Sequence, residues 1–204
     1  AMSFTGGWNA TAEGNVSFAF GDYSIAKLSN GIALGSGAQS YRPYGIAIGN
    51  NAISGQSISP FKGTNAISIG NDSYAEADYS MALGQYVKSG GNNSIVIGKG
   101  YSTSQYLVNN TANSMAIGFG STLPTLFVSA ASGATATGNV GIGTTTIGSK
   151  LQVNGNAAIG YSNSTAAPAN GLLINGNVGI GTTAATEKLT VNGKVKTNAL
   201  VLPD

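Results

Sequence analysis

The 204-residue chain contains no cysteine and no histidine, and only 8% of its residues are charged. Without cysteine there is no disulfide framework and no thiolate chemistry. Without histidine, the commonest general base and the commonest metal ligand are both missing. No stretch approaches the ~18 consecutive apolar residues that a membrane-spanning helix needs. No basic segment leads into an apolar run near the N-terminus, as a secretion signal would require. Nine Lys and Arg against seven Asp and Glu leave a net charge of +2, too small to point to nucleic acid as a partner. From Lys99 to Lys150 no charged side chain intervenes, which fits either disorder or a surface covered by other protein. Ala1-Met2 at the start and Pro203-Asp204 at the stop read as the ends of an excised fragment, so missing targeting signals do not place the parent protein.

What is abundant is glycine, with 31 residues, and it is periodic. An apolar–small–apolar triplet followed by glycine recurs as Phe18-Ala19-Phe20-Gly21, Ile32-Ala33-Leu34-Gly35, Ile46-Ala47-Ile48-Gly49 and Ile67-Ser68-Ile69-Gly70. It returns as Met81-Ala82-Leu83-Gly84, Ile95-Val96-Ile97-Gly98 and Met115-Ala116-Ile117-Gly118. Successive glycines lie 14, 14, 21, 14, 14 and 20 residues apart. The period is therefore fourteen, with insertions of seven and six residues. Downstream of most of these glycines a second alternation follows, as in Ser24/Ala26, Ala38/Ser40, Ala52/Ser54, Ser73/Ala75 and Val87/Ser89.

Both alternations have period two, the spacing of strands and not of helices. Fourteen residues then hold two short strands and two turns, which is one coil of a narrow parallel β-roll. Stacked coils advance about 4.8 Å each, so this half predicts a rod of roughly 35 Å. The two large side chains of each triplet share a face, expected here to be the buried one. The middle residues Ala19, Ala33, Ala47, Ser68, Ala82, Val96 and Ala116 are then expected on the opposite face, as a small-residue stripe against a second chain. So thin a coil is expected to require partners, making the chain an obligate oligomer.

The pattern Ser-Met-Ala-Leu-Gly-x-x-Val-x-Ser at 80–89, with Gly-Ile-Ala-Ile-Gly-x-x-Ala-x-Ser at 45–54, resembles the head repeat of trimeric autotransporter adhesins (YadA-like). The resemblance spans residues 14–121. It implies an all-β fold, a left-handed parallel β-roll in which three chains form a head. The longer intervals at 50–65 and 99–113 are expected to bulge as loops.

A different repeat follows Pro124. Residues 138–155 read GNVGIGTTTIGSKLQVNG and residues 176–193 read GNVGIGTTAATEKLTVNG, 38 residues apart. Each ends in Asn-Gly, a strong turn signal because both residues tolerate positive φ. This half, about 126–200, resembles repeats of tail-fibre and related surface proteins, which implies a trimeric β-prism. The expected organisation is a roll head over 1–122, a connector over 123–137 and a prism-like repeat region over 138–204.

Sites of chemistry are not evident. Gly143 to Lys150 imitates a phosphate loop, but Ser149 and Lys150 stand in the wrong order and no helix follows. Asp72, Glu76 and Asp78 form a local acidic cluster, read as solvated turn residues. No catalytic residue, metal ligand or cofactor is expected. Recognition, if present, is expected at departures from the repeat, because loops on rigid scaffolds commonly carry it. The candidates are Tyr41, Arg42, Tyr44, Phe61, Lys62, Tyr101 and Tyr106, since aromatic and basic residues dominate binding hot spots. Together these readings describe a non-enzymatic attachment fragment of a trimeric fibrous protein. Its expected partners are two further copies and a host surface protein or glycan, without nucleic acid or membrane insertion. The expected location is extracellular, on a bacterial surface or, alternatively, on a phage-type tail fibre. An ice-binding face is not expected, because outward positions vary among Tyr, Asn, Lys and Asp.

Overall fold

The computed structural model describes residues 2–57, 62–162 and 166–198, and these form strands and turns with no helix. The chain divides into two compact units, Ala1–Val153 and Asn154–Asp204.

In the first unit the apolar triplets are the strands of one parallel ladder. In chain order these are β1 (Phe4–Gly6), β3 (Phe18–Phe20), β5 (Ile32–Leu34), β7 (Ile46–Ile48), β9 (Ile67–Ile69), β11 (Met81–Gln85), β13 (Ile95–Lys99) and β15 (Met115–Phe119). The second alternation forms the facing ladder of β2 (Thr11–Ala12), β4 (Ile25–Ala26), β6 (Gln39–Ser40), β8 (Ile53–Ser54), β10 (Tyr74–Ala75), β12 (Val87–Ser89) and β14 (Leu107–Asn109). Pairing is in phase throughout. Ala19 stands opposite Ala33, Ala33 opposite Ala47, Ala47 opposite Ser68, and so on to Val96 opposite Ala116. This is a β-solenoid of fourteen-residue coils, as the repeat predicts.

The expected inside and outside are reversed. Ala19, Ala33, Ala47, Ser68, Ala82, Val96 and Ala116 are fully buried within the single chain. They face Ala26, Ala38, Ser40, Ala52, Ala75, Val87 and Ser89, which are equally buried. The large residues point outward instead, with Phe18 36%, Phe20 48%, Ile32 37% and Leu34 39% exposed. The small stripe therefore lines the core of the roll and is closed to another chain. The reason is width: each coil turns between its strands in about four residues, so the two ladders lie too close for two layers of Leu or Phe. Only Ala, Ser and an occasional Val or Leu fit, and the packed interior rejects more volume.

Apart from the hydroxyls of Ser24 and Ser54, which are buried without a partner, the polar core side chains among the described residues are satisfied locally. Ser68 Oγ lies 2.7 Å from both the carbonyl and the hydroxyl oxygens of Ser73. Ser89 and Ser94 hydroxyls approach to 2.6 Å, and Asn109 donates to Ser114 Oγ at 2.9 Å. Such pairing removes the cost of burying a hydroxyl.

Both turns of each coil use left-handed backbone. One turn places Asn9, Tyr23, Asn51, Asp72 and Tyr86 at φ between 48° and 58°; the other does the same with Asn30, Tyr44, Asn65, Tyr79, Asn93 and Asn113. This geometry aims each amide at a carbonyl of the preceding coil, as in Tyr23 to Trp8 (2.9 Å), Asn51 to Ser36 (2.9 Å) and Tyr44 to Ser29 (3.1 Å). Hydrogen bonding between coils therefore continues through the turns. Asn and Asp tolerate this conformation best, which accounts for their frequency here.

After β15 the chain reverses. β16 (Leu126–Val128) pairs antiparallel with β15, β17 (Val140–Ile142) antiparallel with β16, and β18 (Leu151–Val153) parallel with β17. Phe127 stands opposite Ala116 and is 3% exposed, so its ring occupies the interior side where the coil stack ends. The segment expected as a connector over 123–137 thus contains a strand of the first sheet.

The second unit holds two separate parallel pairs, β19 (Ala157–Ile159) with β20 (Leu172–Ile174) and β21 (Val178–Ile180) with β22 (Leu189–Val191). Asn175-Gly176 bends the chain between β20 and β21, but those strands belong to different sheets and form no hairpin. Ile159, Leu172, Ile180 and Leu189 are 54–59% exposed, and among the described residues of this unit Ala167 is the buried apolar side chain. A two-stranded pair without a core is marginal in water.

The glycine after each triplet is fixed by the stacking. At Gly84, φ is +134° and an added Cβ would stand 1.8 Å from the Gly98 carbonyl oxygen. Gly84→Ala is therefore expected to destabilise the protein by at least ~2 kcal/mol. Gly133→Ala, where nothing lies within 4 Å, is expected to stay within about 0.5 kcal/mol of the parent. Thermal melts of both variants check the contrast.

Candidate recognition surface

The two ladders expose unlike outer faces. Outside the first run two apolar columns: Phe4, Phe18, Ile32, Ile46, Ile67, Met81, Ile95 and Met115 in one, with Phe20, Leu34, Ile48, Ile69, Leu83, Ile97 and Ile117 in the other. Phe4, Phe18 and Phe20 stack with ring centroids 5.0–6.5 Å apart. The second ladder is mixed outside, with Ile25, Ile53 and Val108 among Gln39, Tyr74 and Lys88, and carries ion pairs Lys27–Glu13 at 3.2 Å and Lys88–Glu76 at 2.7 Å.

The two insertions leave from opposite turns of the roll. The first leaves after β8 and is held at both ends. Arg42 donates from Nε and Nη2 to the Gln56 carbonyl at 2.9 and 2.5 Å, and the Gln56 amide donates to the Lys62 carbonyl at 2.9 Å. On its return, Asp78 accepts from the amides of Gly63 and Thr64 at 2.8 and 2.9 Å. The second insertion leaves after β13 as a tight hairpin, with Ser102 bridged to Gln105.

The sequence candidates separate accordingly. Tyr41 and Arg42 lie together, partly buried, beside the mouth of the first insertion, with Lys62 exposed at its return. Tyr44 is 57% exposed at the left-handed turn position. Phe61 lies outside the described residues. Tyr101 is exposed on the second hairpin, away from this group. Tyr106 packs edge-on against Tyr74 (5.3 Å) and Tyr86 (6.3 Å). Arg42 thus anchors a loop, and Tyr106 belongs to an aromatic cluster on the side of the roll. Gln39, Tyr74 and Lys88 escaped sequence reasoning. Their signal is positional: they occupy the outward column of the second ladder, legible once the inward column is assigned to the small residues.

The three acidic residues do not converge. Asp72 accepts from Asn51 at 3.3 Å, Glu76 pairs with Lys88, and Asp78 holds the insertion.

Residues 29–52 and 62–86 match the YadA head domain repeat, in two copies. The two matched YadA-type segments lie on either side of the first insertion, and the strands before and after them continue the same ladder. A search of curated proteins returns no match to the chain.

Burial, reinforced by a side-chain hydrogen bond with Tyr74, raises the Tyr106 hydroxyl above its ordinary pKa of 10.0. Below that value both folded and unfolded chains keep the proton. Above it the unfolded chain releases it first, so stability falls as pH rises past 10.0. Melts between about pH 9 and about pH 11 are expected to show this decline, and Tyr106→Phe to flatten it.

Proposed function

We propose that the chain is a non-enzymatic attachment segment of an extracellular, trimeric fibrous protein. Three copies meet through the apolar columns outside the first ladder, leaving the second ladder facing outward. The observation that carries this reading is the pair of columns itself. Fifteen large apolar side chains in register form a continuous face, and soluble monomers rarely expose contiguous patches above a few hundred Å². The exposed apolar strands of the second unit support the same conclusion, because they have little to pack against within one chain. The YadA-type repeats support a head that carries attachment at a cell surface, with rigid threefold display raising avidity where single contacts are weak.

A second reading, the shaft of a phage-type tail fibre, is favoured by one feature. The two GNVGIGTT segments fold alike: Val140 pairs with Leu151 and Val178 with Leu189, while Lys150 and Lys188 each donate to a carbonyl thirteen residues earlier. A coiled-coil stalk and outer-membrane barrel in the full gene would favour the adhesin, and a C-terminal chaperone domain the fibre.

Light scattering is expected to give the mass of three chains. Leu34→Glu with Leu83→Glu sets carboxylates in one apolar column and is expected to yield monomers with a lowered melting temperature. The labelled trimer should attach to host-cell or glycan-coated surfaces far more tightly than this monomeric variant. A monomeric parent protein, or equal attachment by both, would sink the reading.

A further inference from the structure

We propose that a notch on the outer face of the second ladder binds a neutral oligosaccharide. The inference rests on the reading above, since in a trimer this face stays free only if the chains associate through the first ladder.

Two columns of side chains face outward here. One is Gln39, Ile53, Tyr74 and Lys88 on consecutive rungs. The other, two residues further along each strand, is Glu13, Lys27, Tyr41, Gly55 and Glu76. Its register is fixed by backbone bonds from Lys27 to Ser40, Tyr41 to Ser54, Gly55 to Ala75 and Glu76 to Ser89. Gly55 leaves this second column without a side chain between Tyr41 and Glu76. The space a side chain would take at Gly55 is filled by the Arg42 stem, and beside it lies a cleft of about 430 Å³ lined by Ile53, Gln39, Tyr41, Tyr74, Glu76 and Lys88. That volume lies within the range of small-molecule sites, which combine an apolar floor with a few convergent polar groups.

The lining fits a sugar. Both aromatic rings are held in place before any ligand arrives. The Tyr41 hydroxyl donates to Gln39 Oε1, and Tyr74 is braced edge-on by Tyr106 at 72°. Fixed tyrosines offer broad, amphipathic contact at little entropic cost, suited to the C–H face of a pyranose. Around them stand the donors and acceptors that hydroxyl groups need: the Gln39 amide nitrogen with two hydrogens, the Lys88 ammonium and the Glu76 carboxylate. Lys88 and Glu76 neutralise one another at 2.7 Å, so the cleft has no net charge to attract a sulfate, a sialic acid or a peptide terminus. Beyond Tyr41 a second cleft of about 260 Å³ continues past Lys27, Leu28 and Arg42. Tyr41 and Ser57 line both, which makes room for more than one sugar unit.

The test is calorimetric titration of the intact protein with cellohexaose, chitohexaose, mannohexaose and a heparin hexasaccharide. At least one neutral hexasaccharide is expected to bind once per chain, with the heparin fragment weaker. Tyr41→Ala is expected to weaken binding by at least about tenfold. Ile53→Trp, which puts an indole into the cleft and leaves its other lining residues, is expected to abolish it with the number of chains per assembly and the melting temperature unchanged. The proposal is overturned if no neutral hexasaccharide binds, if only heparin binds, or if binding survives Ile53→Trp. A trimer that binds none of them sinks the cleft and spares the attachment reading. A monomer that binds through the cleft does the reverse.

Discussion

The narrowness of the roll governs the rest of this structure. Two ladders joined by short turns leave an interior that admits little beyond methyl and hydroxymethyl side chains. Ala19, Ala33 and Ala47 meet Ala26, Ala38 and Ala52 there, and all six are fully buried. A core of alanine and serine removes little apolar area from water, at roughly 25 cal/mol per Å². The backbone carries much of the specification instead, through ladder hydrogen bonds that run along strands and turns alike. Because the interior excludes large residues, every Ile, Leu, Phe and Met of the triplets goes outside. What would be the core of an ordinary domain becomes a surface in search of a partner.

Much of this was legible in the residues. The fourteen-residue period, the two strands per coil and the parallel stacking follow from the spacing of glycines and the period-two alternation. By contrast, the intervals expected to bulge at 50–65 and 99–113 each contain a ladder strand, β8 and β14, so the loops are shorter than expected. Which face is buried did not follow. Alternation assigns residues to two faces without saying which one turns inward, and the usual preference for burying Ile and Phe points the wrong way when the enclosed space is this thin. The near-constancy of Ala and Ser on one face, against the freer Ile, Leu, Phe and Met exchange on the other, was the usable cue. A confined interior tolerates less variation than an external one. In the sequence, Leu126-Phe127-Val128 is only a short apolar run. Nothing local to it encodes the direction of its partner.

The candidate site was legible to a lesser degree. Tyr41 and Arg42 stand beside a cleft, but its other walls come from coils fourteen and thirty-five residues further on, and only the register places Gln39, Ile53 and Tyr74 in one column. Arg42 proved to be a strut, spending its guanidinium on the Gln56 carbonyl. The insertions illustrate a wider property of stacked coils: material can be added at a turn without disturbing the rungs, provided the neighbouring coils supply a clamp. Arg42 and Asp78, one on either side, are that clamp.

The reversal at β16 has a bearing on polymerisation. A parallel stack ends in a row of unpaired amides and carbonyls that repeats the pattern of every rung before it, a template on which the first rung of another molecule could dock. Runaway end-to-end growth into filaments is the hazard of such an edge. By laying an antiparallel strand over β15 and setting Phe127 against Ala116, the chain places a large ring where each coil carries a small residue, although β18 at the outer edge again runs in the direction of the coils. The same short segment that stops the repeat therefore also fixes where the roll ends on its C-terminal side.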